Sequence, residues 1–207
     1  MSQQELDSGD NLMFLFDVSL SMNEKGDTPV PSKNRLDYSK EKAIALVNQA
    51  VKYDPDGVDV GVFGKKARWI GKCTAENAAD LIGPLKPTDG QTDTHLAIQL
   101  AYDLHIKNNN KQTFCFLVTD GEPSDRDALR DTLRGITPKL RDEHEFAIGI
   151  LPVGDLEKNP SLKKFLTELD DTLNCKDKDG NDIDILDVTH LDEAEDLIHI
   201  ATKALHD

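Results

Sequence analysis

The sequence predicts an α/β domain built on a doubly wound, mostly parallel sheet, and three observations carry that prediction. Leu12-Met13-Phe14-Leu15-Phe16 and Thr113-Phe114-Cys115-Phe116-Leu117-Val118-Thr119 are short, almost uninterrupted apolar runs, the composition of strands buried on both faces. Around them, apolar segments of strand length alternate with segments whose apolar residues recur at helical spacing, the element order of a parallel sheet covered by helices on both sides. Both runs also end in acid, at Asp17 and Asp120, which delivers polar groups to a sheet edge of the kind where open α/β folds bind ligands.

The remaining elements follow in order. Met22 to Asn34, with Asn23, Gly26, Asp27, Pro29, Pro31 and Ser32, is turn chemistry and predicts a long loop leaving the first strand. Asn34 is placed to cap a helix whose apolar face is Leu36, Ala43, Ile44, Val47, Ala50 and Val51, and Asp54-Pro55-Asp56-Gly57 ends it. Val58 to Gly64 and Ala67 to Cys73 read as a hairpin around Lys65-Lys66. Thr74 is the expected cap of a helix over Ala75 to Leu85, and a turn-rich Lys86 to Thr94 leads into a further helix stopped by Asn108-Asn109-Asn110. After Asp120, Ser124 or Asp125 caps a helix expected to reach about Arg141. Phe146 to Val153 is a buried strand, Ser161 to Leu173 a helix, Ile183 to Val188 the last strand and Leu191 to Leu205 a closing helix.

At 207 residues one core is expected, with residues 1–11 as a polar arm and 12–207 as a single domain. The 39 acidic against 24 basic residues give a formal charge of -15, which disfavours nucleic acid and anionic membrane as partners. The first eleven residues contain no basic leader and the apolar run after them is far too short to export or anchor a chain, so a cytoplasmic location is expected. Cys73, Cys115 and Cys175 form no CxxC pair, which suits a reducing compartment.

Asp17, Ser19 and Ser21 alternate at the end of the first strand, Thr92 and Thr94 flank a helix start, and Asp120 follows the second apolar run. Asp-x-Ser-x-Ser, then Thr-x-Thr, then Thr-Asp-Gly in this succession resembles the von Willebrand factor A domain with its metal-ion-dependent adhesion site. The likeness extends from the first strand to the closing helix. It implies a Rossmann-like sheet in the order 3-2-1-4-5-6, with Ala67 to Cys73 antiparallel at one edge. It also implies a metal site of Asp17, Ser19, Ser21, Thr92 and Asp120, in which hydroxyls bind the ion directly and the aspartates act largely through water. Hard oxygen donors suit Mg2+ or Mn2+, with Ca2+ as the alternative ion. With two formal negative charges the ion stays electrophilic, and an Asp or Glu of a protein partner is expected to complete its coordination.

Two departures from the family pattern are visible. Leu20 stands where glycine is frequent, and the Met22 to Asn34 loop is longer than usual, which leaves two readings: a specificity rim or lid beside the ion, or a tolerated surface insertion. The resemblance further implies an intracellular, bacterial-type stand-alone domain with no catalysis, working beside a partner such as an AAA+ ATPase, and a final helix that transmits occupancy. A metal-dependent phosphoester hydrolase and a metal-free scaffold are the rival readings. Ser19 stands where Asp-x-Asp phosphatases need their second acid, and Glu122 is the loop acid available as a base. Asp177 to Asp182 does not fit a calcium loop, since aligning Gly180 leaves Cys175 and Leu186 at ligand positions; an Asp-Gly turn between short strands fits instead. The six histidines show no paired-ligand spacing.

Overall fold

β1 (Asn11–Asp17) sits in the middle of a six-stranded sheet because both of its faces are apolar, and every residue from Leu12 to Asp17 is buried. It pairs in parallel with β2 (Val58–Phe63) on one side and β4 (Thr113–Thr119) on the other. A computed structural model of the chain describes residues 11–51, 56–88, 90–173 and 175–193. β3 (Ala67–Cys73) closes one edge antiparallel to β2, while β5 (Phe146–Pro152) pairs in parallel with β4. A two-stranded hairpin of β6 (Cys175–Lys176) and β7 (Asp182–Ile183) stands apart, and β8 (Leu186–Val188) completes the main sheet in the order β3-β2-β1-β4-β5-β8.

The alternation of side chains along a strand divides the interior into two cores. Leu12, Phe14, Phe16 and Val18 point to a core that includes Phe116 and is covered by α1 (Arg35–Ala50) and α2 (Ala78–Ile82). Met13 and Leu15 point the other way, toward α3 (Thr94–Lys107), α4 (Arg126–Ile136) and α5 (Pro160–Thr172). The expected doubly wound, mostly parallel fold with one antiparallel edge strand is therefore the observed one.

Three expected boundaries are corrected. The helix after Thr74 starts at Ala78, because the Asn77 side chain accepts from the Thr74 N–H at 2.7 Å and holds 74–77 as a turn. The helix capped by Asp125 ends at Ile136 and passes through a 3-10 turn over Thr137–Lys139, where Pro138 removes a backbone donor. The strand expected over Ile183 to Val188 is divided, since Asp184 Oδ1 accepts from the Leu186 N–H at 3.1 Å between the two pieces. The sixth strand of the sheet is accordingly the eighth in the chain.

Other local expectations match. Asn34 caps α1 through the Asp37 N–H at 2.7 Å, and Asn109 and Asn110, at φ 60° and 53°, turn the chain beyond α3 in the left-handed region that asparagine tolerates. Asp177 organises the turn between β6 and β7: its Oδ1 accepts from the Asp179 and Asn181 N–H groups and its Oδ2 from the Asn181 side-chain amide, each at 2.8 Å, so both carboxylate oxygens are spent within the turn. Leu191 is buried at the start of the expected closing helix, and residues 194–205 of that helix lie outside the described residues. Residues 1–10 of the expected arm also lie outside them, while Asn11 already belongs to β1. Among the described residues no helix is long and apolar enough to cross a membrane.

Candidate metal centre

The parallel pairing of β1 and β4 brings Asp17 and Asp120 to the same carboxyl edge of the sheet, because Phe16 is in register with Val118. Asp17 ends β1 fully buried and is fixed by two donors. The Ser19 N–H bonds its Oδ1 at 2.7 Å, and the Thr119 hydroxyl bonds its Oδ2 at 2.7 Å across the strand pair. The chain then leaves the sheet in an extended Ser19 (φ -65°, ψ 161°) and a 3-10 turn over Leu20–Asn23. Met22, wholly buried in the first core, anchors that turn. Anchored in this way, the turn sets the Ser19 and Ser21 hydroxyls 3.0 Å apart, with Leu20 between them 59% exposed.

Asp120 lies just past β4, and Gly121 turns the chain there at φ 86°. A Cβ at Gly121 would meet Leu162 and Leu166 of α5 at 3.4 Å, an ordinary contact, so it is the left-handed dihedral that calls for glycine. Thr92 reaches the same edge from the segment before α3. Its N–H donates to Ser124 Oγ at 2.9 Å, its carbonyl accepts from the Ser124 N–H at 2.9 Å, and the next residue, Asp93, donates its N–H to the Gly64 carbonyl. Asp17, Ser19, Ser21 and Asp120 are thus joined by side-chain contacts, and Thr92 is brought to their edge by backbone contacts.

Burial pushes the Asp17 carboxyl up to about 7, with the neighbouring Asp120 carboxylate as the second cause. Asp120 is raised as well, chiefly by burial, while the Ser21 hydroxyl and the Arg35 guanidinium pull it back. Two buried carboxylates side by side favour a proton or a cation between them. Oδ1 of Asp120 is buried without a hydrogen-bond partner, a further oxygen available to a cation. All donors are oxygens, two carboxylates and three hydroxyls, the hard donor set that suits such an ion; among the described residues no group of three or more His, Cys, Asp or Glu side chains could hold a metal by itself. The residues present therefore fit a hard divalent ion.

Arg35 and Asp27 belong to this site although their types and spacing did not announce them. The first residue of α1, Arg35 sits where the helix dipole disfavours a cation. Its Nη1 donates to Asp120 Oδ2 at 3.2 Å and to the Ser21 carbonyl at 3.4 Å, its Nε to Asp27 Oδ2 at 3.0 Å, and its Nη2 lies 3.0 Å from Glu24. The Met22 to Asn34 loop is closed at its base by a bridge between Lys25 and Asn34, and the Arg35 N–H donates to the Glu24 carbonyl. Asp27 packs against Gly154, whose missing side chain makes room: a Cβ there would fall 2.9 Å from Arg35 Nε and 3.0 Å from Asp27 Oδ2. The loop stands beside Asp120 as a rim tied down by one arginine. Glu122, the acid available as a base, is exposed, pairs with Arg126 at 3.0 Å and accepts from Asn159 at 3.2 Å.

A doubly wound domain with hydroxyl and carboxylate groups gathered at the carboxyl edge of its central strands is the class of protein this architecture defines. Residues 12–122, more than half of the chain, match the family model of the von Willebrand factor type A domain, and the chain belongs to that family. Members of the family often mediate protein–protein interaction. Among solved structures it is similar to the SpRpn10 VWA domain (16% identity, 95% of this chain and 93% of that one, TM-score 0.59). It is also similar to an aerotolerance-related membrane protein from Bacteroides fragilis (20% identity, 95% and 88% covered, TM-score 0.54). The manganese-loaded TRAP protein of Plasmodium vivax is a third (13% identity, 92% and 72% covered, TM-score 0.56). At these identities the similarity establishes the fold. No curated protein matches the chain.

Proposed function

We propose that this chain is a divalent-cation-dependent binding module that captures an acidic side chain of a protein partner. The observation that carries the reading is the pairing of two buried, mutually repelling carboxylates, Asp17 and Asp120, with the Ser19 and Ser21 hydroxyls 3.0 Å apart beside them. Ser19, Ser21 and Thr92 would hold Mg2+ or Mn2+ directly, with Asp17 and Asp120 supplying charge and orienting water. When bound, the ion supplies an electrophilic centre for an external carboxylate. The manganese-loaded TRAP relative lends support, since it has the same fold and carries such an ion.

Within this reading the protein's own groups serve to position and to exclude. Thr119 and the Ser19 N–H hold both oxygens of Asp17, and Met22 keeps the serine turn seated in the core. Glu122, ion-paired and exposed, is poorly placed to act as a general base, which favours capture over hydrolysis. The free, buried Cys73, Cys115 and Cys175 support a reducing, cytoplasmic setting, and the partner is a protein that supplies an Asp or Glu carboxylate, such as an AAA+ ATPase or another complex subunit. Retention of host-lysate partners on the immobilised chain in Mg2+, in chelator and with Asp17→Ala tests the reading. Partners held in Mg2+ and lost in the other two conditions are expected; equal retention in all three contradicts it.

A further inference from the structure

The geometry points to Arg35 as the positioning residue that sets which cation the site prefers; this rests on the metal-dependent reading above and goes beyond it to the choice of ion. A carboxylate that can offer both oxygens favours Ca2+, which accepts bidentate ligands at coordination numbers of about 6 to 8. Mg2+ demands near-octahedral geometry, with single oxygens and retained waters. The selectivity of an oxygen site therefore depends on whether its carboxylates are free to chelate.

Here neither is free. Both oxygens of Asp17 are engaged, Oδ1 by the Ser19 N–H and Oδ2 by the Thr119 hydroxyl. Asp120 has Oδ2 engaged by Arg35 Nη1 at 3.2 Å, and its buried Oδ1 carries no bond. That leaves one oxygen of Asp120 to act toward an ion, directly or through water. Arg35 is in turn immobilised. Asp27 accepts from both Nε and Nη2, Glu24 flanks it, and Gly154 leaves the space in which the Arg35 and Asp27 side chains meet. Its side chain is 16% exposed. A planar guanidinium anchored on one side and bonded to Asp120 on the other is a fixed wedge against chelation, whereas a flexible lysine would be a weaker one.

The Met22 to Asn34 loop acquires a definite task from this arrangement. It supplies Glu24 and Asp27, which hold the wedge and balance its charge so that the guanidinium does not simply repel the ion. The loop's length serves cation choice, and the same contacts hold the loop beside the site.

The test is competition on the full chain. Mn2+ bound to the protein is followed by electron paramagnetic resonance and displaced with Mg2+ or Ca2+, in the wild type, R35M, R35K and D27N, with circular dichroism confirming the fold. The wild type is expected to prefer Mg2+ over Ca2+. R35M is expected to lower that preference severalfold, because Asp120 can then offer both oxygens to Ca2+. R35K should recover part of it and D27N should shift it in the same direction by less. A ratio is read because general damage would weaken both ions alike. If R35M does not fold, D27N decides. Wild type and folded variants that bind Mn2+ with one unchanged Mg2+/Ca2+ ratio overturn the role of Arg35 and leave the metal reading standing, as does a wild type with no preference for Mg2+. Absence of Mn2+ binding in every protein overturns the metal reading, and the role of Arg35 with it.

Discussion

The Thr119 hydroxyl donates to Oδ2 of Asp17 at 2.7 Å, tying the ends of the two central strands together at the base of the candidate site. The same hydroxyl oxygen accepts the Gly121 N–H at 3.0 Å, so one side chain satisfies a buried carboxylate and shapes the turn that carries Asp120. Thr119→Val keeps the volume and removes both bonds. It is expected to cost about 1 to 3 kcal/mol of stability in urea unfolding, the usual cost of orphaning a buried polar group. It should also weaken Mn2+ binding by about tenfold, while Thr119→Ser retains both properties.

Phe14 is wholly buried, with its ring 5.0 Å from that of Phe116 on the neighbouring strand. Phe14→Ala removes a ring from the first core at the centre of the sheet. A loss of about 3 to 5 kcal/mol is expected, read as a lower urea midpoint with unchanged slope. A loss below about 1 kcal/mol would mean that the β1–β4 core is not packed as described.

Asp170 on α5 is pushed up from its ordinary 3.8 to about 7, first by burial and then by Asp187 and Asp184. Its folded value is above its unfolded one, so the ionised form costs stability. The cost is complete above about pH 7 and disappears as pH falls toward 4. Asp170→Asn keeps an oxygen to accept the Val188 N–H and removes the charge. The variant should be more stable than wild type at pH 8, by on the order of 1 kcal/mol after allowance for solvent screening, and equal to it at pH 4. A gain independent of pH would contradict the assignment.

Much of the fold was legible because its strands are extreme in composition. Leu12 to Phe16 and Phe114 to Val118 are apolar on both faces, and that pattern has few uses besides a central parallel strand. Boundaries failed where a polar side chain near the end of an element diverted the backbone, as Asn77 does before α2 and Asp184 does between β7 and β8. The five candidate ligands were legible as a spaced motif. Arg35 was not, because its partners lie 8 and 85 residues away and an arginine beside a polar loop reads as a solvated residue. A cation at the first position of a capped helix, against the helix dipole, is the signal that could have singled it out. Thr119 was visible only as the polar end of a strand, and its role depends on the β1–β4 register, which no local pattern encodes.

The central claim is that the Ser19 and Ser21 hydroxyls, with Asp17 and Asp120 beside them, hold a divalent cation. Calorimetric titration of the full chain with Mn2+ at neutral pH, against the double variant Ser19→Ala/Ser21→Ala, tests it most directly. One ion per wild-type chain and binding weakened at least about tenfold in the folded double variant are the predicted result. Equal binding by both proteins, or none by the wild type, would contradict it.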